Sequence, residues 1–331
     1  MWGALFPGQG SQSVGMGKFL YDNFLTAKHT FEEASDTLGL NFKKLCFEGS
    51  EADLHLTENT QPALLLVSTA TFRVVAESTG IKISAASGHS VGEYAAVVSA
   101  GAIAFADGLR AVRARGQAMQ QAVPIGQGGM LAVLGLSDQQ VIRLCAWAQE
   151  ESGLQPLEPA NFNAPGQVVI SGSLKLIDWL KANSARTQAS GDTAGIFAPE
   201  NPRMKLIPLA VSAPFHCSLM KPAEECMKLV LEATQMTDAK WPIIQNFTAE
   251  PVTFASKLRE NLIRQISGPV RWTQCSERLK KLGITRTIEF GSGKVLSGLA
   301  KKIDSEGRAP FNINTLDDLN ILELAIKETA V

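Results

Sequence analysis

At 331 residues, with 45% hydrophobic and 19% charged residues, the chain can bury a large core and is composed like an ordinary globular protein. A formal net charge of −1 leaves no basic surplus for a nucleic-acid binder, and the longest apolar run, residues 95–106, is too short for a membrane span and is broken by Ser99 and Gly101. Five cysteines, an odd number with no Cys-x-x-Cys spacing, argue for reduced thiols in a cytoplasmic compartment and against a disulfide framework or a zinc site.

The chain opens on Ala4-Leu5-Phe6, which reads as a first strand and not as a secretion leader. Pro7-Gly8-Gln9-Gly10 then breaks it into a glycine loop. A dinucleotide fingerprint fails there, because Ser13 stands where the third glycine belongs and no ribose-binding acid follows a later strand. Helices are expected over residues 23–38 and 61–78, the second opening after Thr57-Glu58-Asn59-Thr60 with Pro62 near its start. Residues 81–87 read as a strand leading into Gly88-His89-Ser90-Val91-Gly92-Glu93, and residues 93–100 as the helix that follows. A G-x-S-x-G pentad between strand and helix is a nucleophile elbow, with serine on a turn too sharp for flanking Cβ atoms. Ser90 would sit at a helix N-terminus, where free N–H groups stabilise negative charge.

The next helix, residues 107–122, carries Ala111, Val112, Arg115, Ala118, Met119 and Ala122 on one face and Arg110, Arg113, Gln117 and Gln120 on the other. Arg115 thus lies in the apolar stripe. A guanidinium there needs an anionic partner, either an internal carboxylate or a ligand's. From residue 128 to about 209 the pattern changes to strand, helix, strand, strand, helix, strand, the split unit of a ferredoxin-like subdomain. Within it, residues 184–204 read as a long exposed loop. The chain then returns to the larger pattern: an extended Ser212-Ala213-Pro214-Phe215-His216-Cys217, a helix from Pro222, a strand over 243–247, a helix over 261–266 and a strand over 287–290. Gly291-Ser292-Gly293-Lys294 mimics a P-loop but lacks its first glycine and has Val295 in place of Ser/Thr. Alternating strands and helices imply a mainly parallel α/β sheet, with the elbow, the Gln9 loop and the Gly291 turn at the strands' carboxyl edge.

A serine hydroxyl needs a base. Of four histidines, His29 and His55 fall in early helical or loop segments, and His89 adjoins Ser90 and is placed to brace the turn. His216, on a loop after a strand, is the preferred base. No Asp or Glu occupies the strand-end position that would orient it, so a backbone carbonyl or an amide oxygen is the alternative.

Phe6-Pro7-Gly8-Gln9-Gly10-Ser11-Gln12, Gly88-His89-Ser90-Val91-Gly92-Glu93-Tyr94, Arg115-Gly116-Gln117-Ala118-Met119-Gln120, Asn161-Phe162-Asn163-Ala164-Pro165-Gly166-Gln167, Phe215-His216-Cys217, Pro269-Val270-Arg271-Trp272 and Gly291-Ser292-Gly293-Lys294-Val295-Leu296 occur in this order. Together they resemble the malonyl-CoA:acyl carrier protein transacylase family, related to polyketide synthase acyltransferase domains, over nearly the whole chain. The resemblance implies an α/β-hydrolase-like catalytic domain, residues 1–126 and 211–331, interrupted by the ferredoxin-like subdomain, residues 127–210. It also implies ping-pong transfer of malonyl from malonyl-CoA to the phosphopantetheine thiol of an acyl carrier protein in fatty acid synthesis. No metal or cofactor is expected, nor nucleic acid or membrane, and the chain is expected to be a monomer.

Position by position, Ser90 matches the nucleophile and His216 the base. Gln9 and Val91 match the residues whose N–H groups form the oxyanion hole, and Arg115 the arginine that pairs with the malonyl carboxylate. Gln265 matches the residue whose main-chain oxygen orients the histidine, and Asn163 a cleft-lining position. Departures are Val91 for a common leucine, the long 184–204 loop, and Phe215 where several relatives have serine; in polyketide acyltransferases phenylalanine there accompanies malonyl selection. A basic rim of Arg278, Lys280, Lys281, Lys294, Lys301 and Lys302 is expected to meet an acidic carrier, its alternative being a solvated face. Two other functions are weighed: a serine hydrolase, which has no use for an inward Arg115, and a carrier-binding scaffold, which has no need of Ser90, His216 and Arg115 together.

Overall fold

The computed structural model describes residues 1–184 and 204–328, so most of the expected 184–204 loop lies outside the described residues. Among the described residues ten strands follow one another as β1 (Trp2–Phe6), β2 (Ile83–Gly88), β3 (Gly128–Leu134), β4 (Leu157–Ala164), β5 (Gln167–Ser173), β6 (Lys205–Pro208), β7 (Ile243–Ile244), β8 (Pro251–Val252), β9 (Arg286–Glu289) and β10 (Phe311–Asn312). They form two sheets. The larger has the order β10-β9-β1-β2-β7-β8, parallel except for the β7–β8 hairpin. Strand β1 is buried along its length, as a central parallel strand covered on both faces must be. Its register sets Phe6 beside Gly88 and Leu5 beside Glu289, so β1, β2 and β9 end along one edge.

The second sheet, β4-β5-β3-β6, is antiparallel throughout. In chain order its parts are strand, helix, strand, strand, helix, strand, with Asp138–Ser152 and Leu174–Asn183 as the helices. It has its own core, in which Leu131, Val133, Phe162, Val168 and Ile170 meet Leu144, Leu176 and Leu180. Strand β4 ties it to the chain just before the helix Trp272–Lys281: Phe162 N–H donates to Val270 C=O at 2.9 Å and Val270 N–H to Ala160 C=O at 2.8 Å.

Several elements depart from expectation. The second long helix begins at Thr57, not at residue 61, and runs to Thr79, so Pro62 stands inside it. Proline there leaves the Glu58 carbonyl without its helical donor, and Arg113 Nη1 supplies one at 2.8 Å. The expected strand over 243–247 pairs only at Ile243–Ile244, and the chain beyond it turns towards the elbow. The helix expected over 261–266 is Ala255–Arg264. Helices Trp272–Lys281 and Val295–Ile303 start without a side-chain cap, whereas Leu316–Lys327, also not anticipated, starts on a capping box of Thr315 and Asp318.

Candidate active site

Ser90 has a φ of 53°, a left-handed conformation that costs a non-glycine residue energy and must be held by its surroundings. What holds it is specific. A Cβ on Gly88 would overlap the Gly92 carbonyl, and one on Gly92 would overlap the Phe6 carbonyl, so both positions of the pentad require glycine. Asn246 brackets the turn: its Oδ1 accepts from Ser90 N–H and its Nδ2 donates to Gly88 C=O, both at 2.7 Å. His89 braces the other side through Asn163 Oδ1 at 2.8 Å and packs against Trp272.

Ser90 Oγ lies 2.7 Å from His216 Nε2. His216 Nδ1 lies 2.9 Å from the Gln265 carbonyl, which can only accept, so Nδ1 carries the proton and Nε2 presents its lone pair to the serine. Burial, reinforced by the positive charge of Arg115, lowers the His216 pKa to about 3, so the imidazole is a free base at neutral pH. No carboxylate orients it. The carbonyl stands where the missing acid would be.

Arg115 comes from the helix Phe105–Gln121 and is 1% exposed. Its Nη1 donates to Gln61 Oε1 at 2.9 Å, and its Nη2 to Gln265 Oε1 at 2.9 Å and Ser90 Oγ at 3.1 Å. Among the described residues no carboxylate forms an ion pair with it. The arginine in the apolar stripe therefore keeps a buried, neutral-amide cradle beside the nucleophile, with Tyr94 under its guanidinium at 5.8 Å.

These groups open into a cleft of about 470 Å³ between the two sheets, lined by Gln9, Ser90, Arg115, Met119, Met130, Asn161, Phe215 and His216 among others. The backbone N–H groups of Gln9 and Val91 make no hydrogen bond among the described residues. One correction concerns Asn163. It does not line the cleft but holds His89, and Asn161, two residues earlier on β4, takes the cleft-facing place. Alternation alone would put Asn161 and Asn163 on one face, and the register shift between Phe162 and Ala164 breaks it. His55 is exposed and lines the rim of the cleft. Sequence reading missed Asn246, Gln61 and the side-chain role of Gln265, each an amide with no local pattern. Of the expected basic rim, Arg278 pairs with Glu250, Lys280 with Asp304 at 2.6 Å, and Lys302 donates to Gln167 at 2.8 Å; none of the six lines the cleft.

Among the described residues no group of three or more His, Cys, Asp or Glu is placed to hold a metal ion, and no helix is long and apolar enough to cross a membrane. All five cysteines are free, four of them buried.

Residues 4–267 match the acyl transferase domain family. The chain is 43% identical over 323 residues to the malonyl CoA-acyl carrier protein transacylase of Bacillus subtilis, covering 98% of this chain and 95% of that one. The acyl-carrier-protein S-malonyltransferase of Burkholderia pseudomallei is similar in structure, with a TM-score of 0.88 at 39% identity, covering 98% of this chain and 99% of that one. A malonyl-transacylase solved in complex with a type II polyketide synthase acyl carrier protein gives 0.88 at 38% identity, covering 98% and 99%.

Proposed function

We infer from its place in the acyl transferase family, to which the chain belongs with the malonyl CoA-acyl carrier protein transacylases, that this protein moves malonyl from malonyl-CoA to an acyl carrier protein. It is an acyltransferase. The observation that carries the residue roles is a single atom's surroundings: Ser90 Oγ lies between the free-base Nε2 of His216 and the Nη2 of Arg115. A base beside a serine makes a nucleophile, and a buried guanidinium beside that nucleophile makes a seat for an acyl group with a carboxylate.

The chemistry follows from these positions. His216 Nε2 takes the Ser90 proton as Oγ adds to the thioester carbonyl. The N–H groups of Gln9 and Val91 receive the oxyanion, which needs donors aimed before the charge develops. Collapse breaks the C–S bond, and the histidine returns the proton to the departing coenzyme A thiolate. The carrier's phosphopantetheine thiol then gives its proton to His216, adds to the malonyl-serine ester and expels Ser90 Oγ, which recovers the proton. Arg115 holds the malonyl carboxylate bidentately, keeping the ester aligned for the second thiol. Phe215 lines the acyl side of the cleft, and the Gln265 main-chain oxygen keeps the histidine tautomer.

The finer architecture fits this reading: an α/β-hydrolase-like domain of residues 1–126 and 211–331, with residues 127–210 as a ferredoxin-like insertion that closes the cleft from one side. Free thiols suit a reducing, cytoplasmic setting. The role supplies extender units for fatty acid synthesis, by a monomer without a bound cofactor. On the rim, Lys281, Lys294 and Lys301 are the cations left to meet an acidic carrier; reversing their charge should raise KM for the carrier and leave KM for malonyl-CoA unchanged. The test of transfer against hydrolysis is the fate of the acyl group. With phosphopantetheinylated carrier present, malonyl should pass to the carrier thiol; release of malonate at the same rate with and without carrier would reject the transferase.

A further inference from the structure

Glu93 follows the elbow glycine, is fully buried, and touches no part of the cleft. Three N–H groups converge on its two oxygens: Gln245 Nε2 on Oε1 at 2.9 Å, and Asn246 N–H at 2.7 Å and Gln265 Nε2 at 3.1 Å on Oε2. Every neighbour is a donor, so the ionised carboxylate fits and a protonated one would aim its O–H at an N–H. The Gln265 side chain has a fixed polarity here. Its Oε1 must face Arg115, which can only donate, and its Nε2 must face acceptors, Glu93 and the Ser90 carbonyl at 3.1 Å. One amide thus stands between the buried cation and the buried anion.

A direct Arg–Glu pair would neutralise the guanidinium and compete for it with a substrate carboxylate, which neutral amide partners do not. An amide between them keeps a counter-charge nearby while holding the carboxylate off the fork. We propose that Glu93 is a positioning residue for acyl selection: acting through the side-chain amide of Gln265, it fixes Arg115 where a carboxylated acyl group meets it. The inference rests on Arg115 reading the malonyl carboxylate.

The experiment measures acylation of Ser90 by malonyl-CoA and by acetyl-CoA, as kcat/KM for each, in the native protein, Glu93→Gln, Arg115→Ala and the double variant. Glu93→Gln puts an N–H₂ group where one of the donors now bonds. It should lower malonyl acylation on the order of tenfold more than acetyl acylation. In the Arg115→Ala background the same change should leave the malonyl-to-acetyl ratio as it was, because the group it acts through is gone. Equal losses for both acyl groups, a gain in malonyl preference, or a shift in the ratio without Arg115 would each overturn the proposal. An unaltered ratio in Arg115→Ala alone would instead overturn the reading of Arg115. Should Glu93→Gln not fold, Glu93→Asp keeps the charge but falls one methylene short of Gln265; the same differential loss supports the proposal and an equal loss rejects it.

Discussion

Two glycine-rich turns leave the same edge of the large sheet, and a buried carboxylate caps the helix start after only one of them. After β9, Gly291-Ser292-Gly293-Lys294 leads into the helix Val295–Ile303, the arrangement that elsewhere cradles phosphate. Here the chain fills the cradle itself. Glu289, fully buried at the end of β9, accepts from Leu296 N–H and Ser297 N–H, each at 2.9 Å, from Ser297 Oγ at 2.6 Å and from Asn312 Nδ2 at 3.0 Å. After β2, the helix Gly92–Ser99 begins on a glycine, but no carboxylate caps it, and the N–H groups of Val91 and Gln9 stay unspent among the described residues. A helix N-terminus is an anion site only where its own sequence supplies no anion. The difference lies in one residue: a glutamate that ends its strand against the turn on one side, and on the other a glutamate turned inward to brace the amides behind the serine.

The comparison can be broken most forcefully at the open turn. Ser90→Ala should abolish acylation and cut transfer by more than about a thousandfold, measured with malonyl-CoA and carrier, because the remaining groups have no nucleophile to serve. Gly92→Ala forces a Cβ into the Phe6 carbonyl and should cost about 3 kcal/mol in denaturant unfolding, with loss of acylation in what still folds. At the filled turn the expectation is opposite in kind. Glu289→Gln should cost about 2 kcal/mol of stability by unmaking charge-assisted bonds at the helix start, yet leave kcat of the folded enzyme within about twofold.

Titration sharpens the same contrast. His216 is held below its ordinary value of about 6.5, chiefly by burial, so the base is still free when the pH falls through that range. Acetyl acylation should therefore stay flat there. Burial raises Glu93 to about 7, against the pull of its donors and of Arg115. As pH falls through about 7 it takes up a proton, and malonyl preference over acetyl should decline. Glu93 is faced by Tyr94 from its own helix, Arg115 from the helix Phe105–Gln121 and Cys275 from the helix Trp272–Lys281. Burial and the Glu93 charge keep the Cys275 thiol protonated, and burial keeps the Tyr94 phenol so, leaving Glu93 as the group that titrates among these. A ratio that is constant across this range would contradict the assignment.

What the sequence disclosed follows from how local each signal is. Ser90 is announced by glycines two residues to either side, and Arg115 by helical periodicity, both readable within one turn of chain. The strands and helices of the second sheet were legible because their apolar runs and the Asn163-Ala164-Pro165-Gly166 turn sit next to one another in sequence. Asn246 and Gln265 were not legible as side chains, since they meet Ser90 and Arg115 from strand and helix ends more than a hundred residues away. An amide has no periodic or spacing signature. Strand β7 was overestimated because Gln245-Asn246-Phe247 is as apolar-flanked as a strand, yet burial there serves the elbow bracket instead of a ladder. Asn163 was assigned to the cleft on resemblance alone, and the register shift in β4 hands that place to Asn161.

The most direct test of the account is peptide mass spectrometry after brief mixing with malonyl-CoA, with and without phosphopantetheinylated carrier. The account predicts a malonyl adduct on the peptide that contains Ser90, which disappears when carrier is added and reappears as malonyl on the carrier. An adduct on any other residue, or transfer to the carrier that persists in Ser90→Ala, would contradict it.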